Sequence, residues 1–166
     1  MIKEIRNFLE PDEFNKVRNE ILGGNFSWYL ADGIAMPHDG HNMLSHIAYA
    51  HNNVNSDFYN FCVPIIKKLD AFSLVRIKAN FHWQTKEIIE HGHHNDFRNL
   101  KDKTDLHTAI YYINTNNGYT KFKSTGKKFY SEENKMVVFK ASEMHTGSSC
   151  TDKNFRVVVN FNYFPR

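Results

Sequence analysis

The segment HGHHNDF, residues 91 to 97, places three histidines and one aspartate close together, and imidazole and carboxylate groups bind transition metals. In an extended segment, successive side chains point to opposite faces, so His94 and Asp96 would share one face and His91 and His93 the other. In a helical segment, His93 and Asp96 would be the facing pair instead. We favour the extended interpretation, which predicts His94 and Asp96 as ligands and leaves His91 and His93 as surface residues or neighbours of the ligands.

A metal held by His94 and Asp96 needs at least one further protein ligand. His145, in the segment SEMHTGS, is the candidate because it comes just before the last strand-like stretch of the chain. Two histidines and one carboxylate form the facial triad of non-haem Fe(II) oxygenases, which leaves coordination positions open for a co-substrate and dioxygen. The same ligand set also suits zinc, so a metal site of another chemistry stays open at this point.

Arg156 adds a positive charge to this pattern. It opens the alternating stretch RVVVNFNYF and would share a face with Asn160 and Asn162. An arginine that points into a polar interior needs an anionic partner, and a carboxylate bound through two parallel hydrogen bonds is a natural one. A salt bridge at the end of a strand is the alternative. The ordered combination of HxD, a distant histidine and an arginine on the final strand carries more weight than any of its members.

The composition limits the class of protein. A chain of 166 residues with 14 phenylalanines is expected to fold as one domain, residues 1 to 166, around a substantial core. The formal charge of +3 does not favour nucleic acid or an anionic membrane as partner. Cys62 and Cys150 have no metal-binding or redox spacing and predict reduced thiols. No apolar run approaches the roughly 20 residues of a membrane span, so we expect a cytoplasmic protein.

Helices are predicted in the N-terminal region, residues 1 to 71, which we expect to support the rest of the fold. One helix should follow Pro11 and end at Gly23-Gly24, and a second should begin near Asn55-Ser56. Pro64 lies inside the second apolar stripe and predicts a kink or a late start there. Residues 25 to 54 are predicted to be irregular, with one short strand near LSHIAYA.

From Phe72 onward the hydrophobic period changes from 3.6 to 2, which predicts antiparallel strands. The segment VRIKANFHW has one apolar face, and its other face carries Arg76, Lys78, Asn80 and His82. The segments LHTAIYYIN, KMVVFK and RVVVNFNYF also predict strands. We therefore predict a mainly β (α+β) fold with its β core in residues 72 to 166. An apolar sheet face would pack on two helices, and a polar face would line a barrel or sandwich interior.

These segments resemble a known family. The matching pieces are HND (94 to 96), AIYYIN (109 to 114), NGYTKF (117 to 122), KMVVFK (135 to 140), the histidine of EMHTG and RVVVNFNYF (156 to 164). On them the chain resembles the 2-oxoglutarate- and Fe(II)-dependent dioxygenases, and within these the prolyl-4-hydroxylase-like branch with its small stand-alone phage and bacterial members. The resemblance covers roughly residues 72 to 164 and implies a double-stranded β-helix, a jelly-roll or cupin-like barrel, with supporting helices.

The resemblance also implies the roles of individual residues. His94, Asp96 and His145 would hold Fe(II), and no further catalytic side chain is expected. Arg156 would pair with the distal carboxylate of the co-substrate 2-oxoglutarate, and Tyr112 would donate a hydrogen bond to the same group. The implied reaction uses O2, releases succinate and CO2, and hydroxylates an unactivated C–H bond of a peptidyl, amino-acid or small-metabolite substrate.

The chain departs from the prolyl-hydroxylase pattern at two positions. The strand before HxD reads KANFHWQ and lacks the tyrosine that contacts the co-substrate in that branch, so Asn80 or His82 would replace it. Asn162 stands where that branch often has a bulky aromatic residue. Both departures put a prolyl substrate in doubt. We expect four residues to be candidates for lining the pocket: Asn80, His82, Asn160 and Asn162.

Other classes of function remain to be compared with this one. A zinc barrel that catalyses hydrolysis or isomerisation would give Arg156 and Tyr112 no purpose, and an inactive jelly-roll binding or assembly module would leave the ligands without a role.

The segment GYTKFKSTGKKFY interleaves lysines with aromatics, as single-stranded nucleic-acid sites do, but a solvated hairpin with core-facing aromatics is the favoured interpretation. The charged loop 97 to 106 and the polar segment 32 to 42, with His38 and His41, are candidates to border the mouth of the site, or are solvated connections.

Overall fold

The computed structural model describes residues 2–97 and 105–166. Two helices and eleven strands lie within these residues. In chain order they are β1 (Lys3–Ile5), α1 (Pro11–Ile21), β2 (Tyr29–Asp32), β3 (Asn42–Ala50), β4 (Asn53–Val54), α2 (Phe58–Lys68), β5 (Ala71–Trp83), β6 (His107–Tyr112), β7 (Tyr119–Phe122), β8 (Lys128–Tyr130), β9 (Lys135–Lys140), β10 (His145–Gly147) and β11 (Phe155–Pro165). Most of the loop 97 to 106, which we considered as a border of the site, lies outside the described residues.

The strands form two antiparallel sheets. The major sheet has the order β1-β9-β6-β11-β5-β3-β2, with β4 paired to β3, and the minor sheet has the order β10-β7-β8. The inner faces of the two sheets share one apolar cluster, in which Ile110, Tyr112 and Val158 of the major sheet meet Phe122 and Phe129 of the minor sheet. This arrangement confirms the predicted double-stranded β-helix.

The two helices cover the outer face of the major sheet. Phe14 of α1 and Ile65 of α2 belong to the same core cluster as Tyr111, Val157 and Val159. The period of two explains this placement, because it sends Val157 and Val159 toward the helices and the alternate residues of β11 toward the interior of the barrel. The major sheet therefore has an apolar outer face, as predicted, and an inner face on which polar residues adjoin the apolar cluster between the sheets.

The helices begin and end close to the predicted positions. Helix α1 begins at Pro11, which needs no N–H partner at a first helical position, and ends at Ile21. Helix α2 begins at Phe58, after the predicted Asn55-Ser56, and continues through Pro64. Each helix has 11 residues. No helix in the described part of the chain is long and apolar enough to cross a membrane.

Strands also come from residues 1 to 71, which we predicted as a helical support region for a β core in residues 72 to 166. Strand β1 pairs with β9 at one edge of the major sheet, and β2 and β3 extend its other edge beyond β5. Only the strand near LSHIAYA was predicted in this region, and it is longer than expected. The burial of β3 does not alternate strictly, and β2 is a short, largely exposed edge strand, so neither carries a clear period of two.

Candidate metal centre and carboxylate pocket

The three predicted metal ligands lie together at the mouth of the barrel. His94 and His145 form an isolated antiparallel bridge, in which each backbone N–H donates to the other residue's carbonyl oxygen at 2.9 Å. One potential ligand atom from each of His94, Asp96 and His145 lies within 4.8 Å of the other two. Among the residues that the structure describes, this is the only group of three or more such side chains. The extended conformation at His94 is the one that we favoured, and it turns His93 to solvent.

Asp96 is held by three neighbouring side chains. Its Oδ2 accepts hydrogen bonds from the Thr108 hydroxyl at 2.7 Å and from the Asn162 amide at 2.8 Å, and its Oδ1 accepts one from Arg76 at 3.3 Å. Burial raises the pKa of Asp96, but the charges of His145 and Arg76 and these hydrogen bonds leave it below its ordinary value. The carboxylate is therefore ionised and oriented, which suits a metal ligand.

The two histidine rings are oriented by backbone carbonyls. Nδ1 of His94 lies 3.3 Å from the Gly92 oxygen, and Nδ1 of His145 lies 3.1 Å from the Glu143 oxygen. A ring whose Nδ1 carries the proton toward a carbonyl presents an unprotonated Nε2 to a metal. Burial, followed by repulsion from His145, lowers the pKa of His94, so its imidazole is neutral at pH 7.

A cavity of about 420 Å³ extends from these ligands into the barrel. Its wall includes the segment 33 to 37 and residues from the inner faces of both sheets. The polar residues that line it besides the three candidate ligands include Arg76, Lys78, Asn80, His82, Thr120, Arg156 and Asn160. Sequence reasoning missed Arg76, Lys78 and Thr120 as site residues. Alternation placed Arg76 and Lys78 on one face with Asn80 and His82, and this was the signal that could have identified them.

Arg156 is a buried cation in this cavity. Its side chain is fully enclosed, and it donates from Nε to the Ser131 hydroxyl at 2.8 Å and from Nη2 to the Thr120 hydroxyl at 3.4 Å. Within residues 2–97 and 105–166, no carboxylate lies within 4.0 Å of it. Gly118 makes room for the side chain, because a Cβ there would lie 2.6 Å from the Arg156 Cδ. A buried guanidinium with only neutral partners and with donors to spare is suited to bind a carboxylate.

Tyr112 lies deeper than the resemblance implied. Its side chain is fully buried, it does not line the cavity, and its hydroxyl donates to the Thr120 hydroxyl at 2.8 Å. Thr120, which does line the cavity, accepts from both Tyr112 and Arg156, so its own proton is available to a ligand. The structure therefore places the Thr120 hydroxyl, and not that of Tyr112, at the wall of the cavity beside Arg156.

Three of the four predicted pocket residues line the cavity, namely Asn80, His82 and Asn160. Asn162 does not, because it lies beneath Asp96, where its amide donates to that carboxylate. Buried atoms of the three lining residues have no hydrogen-bond partner in the described part of the chain: Asn80 Oδ1, His82 Nδ1 and Asn160 Oδ1. Burial, with repulsion from Arg156 and from other nearby cations, lowers the pKa of His82 well below its ordinary value. His82 is therefore a neutral polar group at the end of the cavity near Arg156.

A second group of histidines lies behind the first. His91 is buried, its ring stacks on His82 at a centroid distance of 5.3 Å, and His41 contacts it at 5.3 Å. These three histidines line a smaller cavity of about 90 Å³. His91 is thus not a surface residue, although it does point away from the metal ligands as predicted. His38, on the exposed segment 32 to 42, pairs with Asp32 instead.

The lysine-rich hairpin is largely occupied with internal contacts. Phe122 and Phe129 are buried in the core between the sheets. Lys121 forms an ion pair with Glu90 at 3.0 Å, and the Lys128 ammonium lies 4.1 Å from the centroid of the Tyr119 ring. These contacts fit the interpretation of this segment as a solvated hairpin with core-facing aromatics.

Comparison with known proteins identifies the fold. No protein-family model and no curated protein matches the chain. An oxidoreductase of the 2OG-Fe(II) oxygenase family from Burkholderia pseudomallei is 12% identical, with a TM-score of 0.71 over 98% of this chain and 84% of that one. A viral collagen prolyl hydroxylase from Paramecium bursaria Chlorella virus-1, in complex with 2-oxoglutarate, is 12% identical, with a TM-score of 0.64 over 98% and 96%. The non-haem α-ketoglutarate-dependent epimerase SnoN from nogalamycin biosynthesis is 10% identical, with a TM-score of 0.68 over 99% and 77%.

These similarities extend along nearly the whole chain. At such low identity they show the fold, which is the double-stranded β-helix of 2-oxoglutarate–Fe(II) oxygenases, prolyl hydroxylases among them. This is the fold that the sequence resemblance implied.

Proposed function

We propose that the chain, as one domain of residues 1 to 166, is an Fe(II)- and 2-oxoglutarate-dependent dioxygenase that hydroxylates a peptidyl, amino-acid or small-metabolite substrate. One observation carries the proposal: a two-histidine, one-carboxylate ligand set lines the same cavity as a buried arginine that has no anionic partner among the described residues. The similar structures named above, which include a complex with 2-oxoglutarate, support it.

The residues present fit the metal. His94, Asp96 and His145 supply two imidazoles and one carboxylate, the donor set of non-haem Fe(II) sites with open coordination positions. Bound iron supplies the activation of dioxygen, at the expense of 2-oxoglutarate, which is converted to succinate and CO2. The protein's part is to keep Asp96 ionised, to hold His94 neutral and to orient all three side chains.

The residues present also fit the co-substrate. Arg156 would bind the distal carboxylate of 2-oxoglutarate, and Thr120 would donate a hydrogen bond to the same group while Tyr112 fixes the Thr120 hydroxyl. His82 lies opposite Arg156 in the register of β5 and β11 and is neutral. It would take the place of the tyrosine that this strand lacks, with Asn80 beside it on the same face.

A zinc hydrolase or isomerase is the main competing function. The three ligands suit zinc equally well, but such an enzyme gives no role to a buried Arg156 that is screened from solvent and supported by two hydroxyls. A buried unpaired cation is destabilising, and we infer that a bound carboxylate compensates it.

Anaerobic titration of the Fe(II)-loaded protein with 2-oxoglutarate tests the proposal. We expect a weak visible metal-to-ligand charge-transfer band that saturates with 2-oxoglutarate. His145→Ala should abolish the band by removing a metal ligand. Arg156→Met should raise the 2-oxoglutarate concentration needed by about 100-fold or more, because a buried charge pair is lost, while Fe(II) affinity changes little.

His93→Ala is the matched control, because His93 is a solvent-exposed neighbour of His94 that points away from the ligands. It should leave the band unchanged. The absence of a band in the wild type, together with tight zinc binding at the same residues, would contradict the proposal and favour a metal barrel of another chemistry.

A further inference from the structure

Arg76 and Lys78 line the outer part of the cavity, and among the residues that the structure describes only Arg76 has an internal partner. Arg76 donates from Nη2 to Asp96 at 3.3 Å and from Nε to the Asn162 oxygen at 3.1 Å, and its guanidinium lies over the Phe97 ring. Lys78, two residues further along β5 on the same face, makes no side-chain hydrogen bond to the described residues, and no carboxylate among them lies within 4.0 Å of its ammonium. Lys78 is thus a half-buried positive charge facing the cavity.

The surroundings of Lys78 disfavour its positive charge. Burial and repulsion from Arg76 lower its pKa to about 8, and Asp96 only partly offsets them. Strand β5 lies between β11 and β3 in the major sheet. Lys78 is therefore less hydrated than a lysine on the same face of an edge strand would be. An unpaired charge that is retained at a destabilising position in a cavity indicates a ligand of opposite charge.

The charges of the proposed complex also favour an anionic ligand near Lys78. Fe(II) and the 2-oxoglutarate dianion, taken with Asp96 and Arg156, carry no net charge. Lys78 and Arg76 then remain as excess positive charges around the space left for the substrate. The other acidic residue that lines the cavity, Asp32, is largely exposed and makes its hydrogen bond to His38.

Neutral donors accompany Lys78. Asn160 lies directly across from it in the register of β11 and β5, and Asn80 follows it on the same face of β5. Both asparagines line the cavity, and each side-chain amide has two N–H donors. An anion with several oxygens could therefore be bound by one ammonium and by amide groups, as charged groups in ligand pockets are.

We propose that the substrate of this site carries an anionic group, a carboxylate or a phosphate, that binds to Lys78 beside Asn160. This inference rests on the proposed function, because it assigns the substrate to the space next to the proposed Fe(II) and 2-oxoglutarate. It narrows the substrate class to acidic metabolites, acidic amino acids and acidic or phosphorylated peptides.

The test uses two simple anions and the paramagnetism of Mn(II). The whole protein is loaded with Mn(II) in place of Fe(II) and with stoichiometric 2-oxoglutarate, at constant ionic strength. Inorganic phosphate is followed by 31P NMR relaxation and trifluoroacetate by 19F NMR relaxation. An anion bound at Lys78 lies near the metal and should relax faster, and the effect should saturate as the site fills.

The variants separate Lys78 from other sources of relaxation. In Lys78→Met, which keeps the length of the side chain, binding of the preferred anion should weaken by at least about tenfold, because a charge-assisted hydrogen bond is lost. Lys78→Arg should retain most of the binding. Lys86→Met is the control, because Lys86 is an exposed lysine outside the cavity, and it should bind like the wild type. Retained Mn(II) binding shows that each variant is folded.

Each outcome decides the inference. Equal binding by wild type and Lys78→Met would overturn it, since the anion would then bind the metal directly or another surface. No saturable relaxation with either probe, in a protein that binds Mn(II) and 2-oxoglutarate, would overturn it as well and leave the proposed function standing. A protein that fails to bind Mn(II) at His145, or 2-oxoglutarate at all, would refute the proposed function and this inference with it.

Discussion

Two cations in the same cavity, Arg156 and Lys78, occupy opposite environments. Arg156 is 1% exposed, and its hydrogen bonds go to Ser131 and to Thr120, which is itself held by Tyr112. Lys78 is half-buried, and in the described part of the chain it has neither a side-chain hydrogen bond nor a carboxylate within 4.0 Å. Strands β11 and β5 direct Arg156 and Lys78 into the same polar interior. The two environments therefore differ because of the side chains around each cation.

The difference separates what the fold fixes from what it leaves to a ligand. The surroundings of Arg156 are preorganised, because neutral groups already hold the guanidinium before any carboxylate binds. The surroundings of Lys78 fix the position of a positive charge, but they do not orient its ammonium group by hydrogen bonds. In the proposed function, the Arg156 end would therefore bind one invariant molecule, the co-substrate, and the Lys78 end would tolerate variation in the substrate.

The same contrast occurs in a pair of neighbouring asparagines on β11, and it leads to the largest effect that we predict here. Asn162 is fully buried and donates to Asp96 and to Thr108, at 2.8 and 2.9 Å, whereas Asn160 lines the cavity with an unpartnered oxygen. Asn162→Ala should weaken Fe(II) or Mn(II) binding by about 10- to 100-fold, because residues that orient a metal ligand contribute that much to affinity. Metal titration of the folded variant measures it.

Asn160→Ala is the matched control for that prediction. It removes the same amide from the same face of the same strand without touching Asp96, so metal affinity should stay within about threefold of wild type. Equal losses in the two variants would show that the preorganised part of the site extends to Asn160, and the contrast would fail.

Two adjacent tyrosines on β6 give a smaller effect. The Tyr112 hydroxyl donates to Thr120 inside the barrel, whereas the Tyr111 hydroxyl donates to Asn134 at 2.7 Å on the helix side of the sheet. Tyr112→Phe should weaken 2-oxoglutarate binding by about three- to tenfold, the equivalent of one hydrogen bond, and leave metal affinity unchanged. Tyr111→Phe should leave 2-oxoglutarate affinity unchanged and lower the free energy of unfolding by about 1 kcal/mol.

Charge-transfer titrations and chemical denaturation of both variants measure these two quantities. A loss of 2-oxoglutarate affinity in Tyr111→Phe that matches that in Tyr112→Phe would mean that the sheet as a whole, and not the relay through Thr120, supports Arg156.

The sequence was sufficient to predict the directions of side chains in long strands. Alternation along β5 and β11 placed Arg156, Asn80 and His82 inside the barrel, because a period of two leaves no freedom once one face is buried. The depth at which an inward-pointing side chain lies within the barrel was not predictable from alternation. Tyr112 and Thr120 both point inward, and only the packing of β7 against β6 decides which of them reaches the cavity. The same holds for Asn162, whose position beneath Asp96 depends on a contact between residues 66 positions apart.

The edges of the sheet were less predictable than its centre. Strand β3 joins the major sheet next to β5, and β2 forms the edge beyond it, yet neither sequence has a clear apolar face. An edge strand buries only part of its surface, so its hydrophobic pattern is weak. This part of the chain leads into the segment 33 to 37, which lines the open end of the cavity and donates several backbone hydrogen bonds to one side chain.

Asp39 is that side chain, and its removal should have the smallest effect. Its carboxylate accepts hydrogen bonds from the backbone N–H groups of Ile34, Ala35, Met36 and His41, at 2.8 to 3.3 Å. Partial burial raises the pKa of Asp39, but these four bonds outweigh it and hold the pKa at about 2. Asp39→Ala should therefore speed amide exchange at residues 34 to 36 several-fold and change global stability little, since this segment is at the surface.

The pH dependence of this contact distinguishes the carboxylate from the shape of the loop. A pKa below the ordinary value of about 3.9 means that the contribution is complete above about pH 4 and is lost as the pH falls through about 2. After correction for intrinsic exchange rates, protection of residues 34 to 36 should thus persist in the wild type on acidification to pH 3. Asp39→Asn, which keeps the shape without the charge, should show weaker protection at pH 3 and above. Equal protection in the two proteins would mean that the charge of Asp39 does not hold the open end of the cavity.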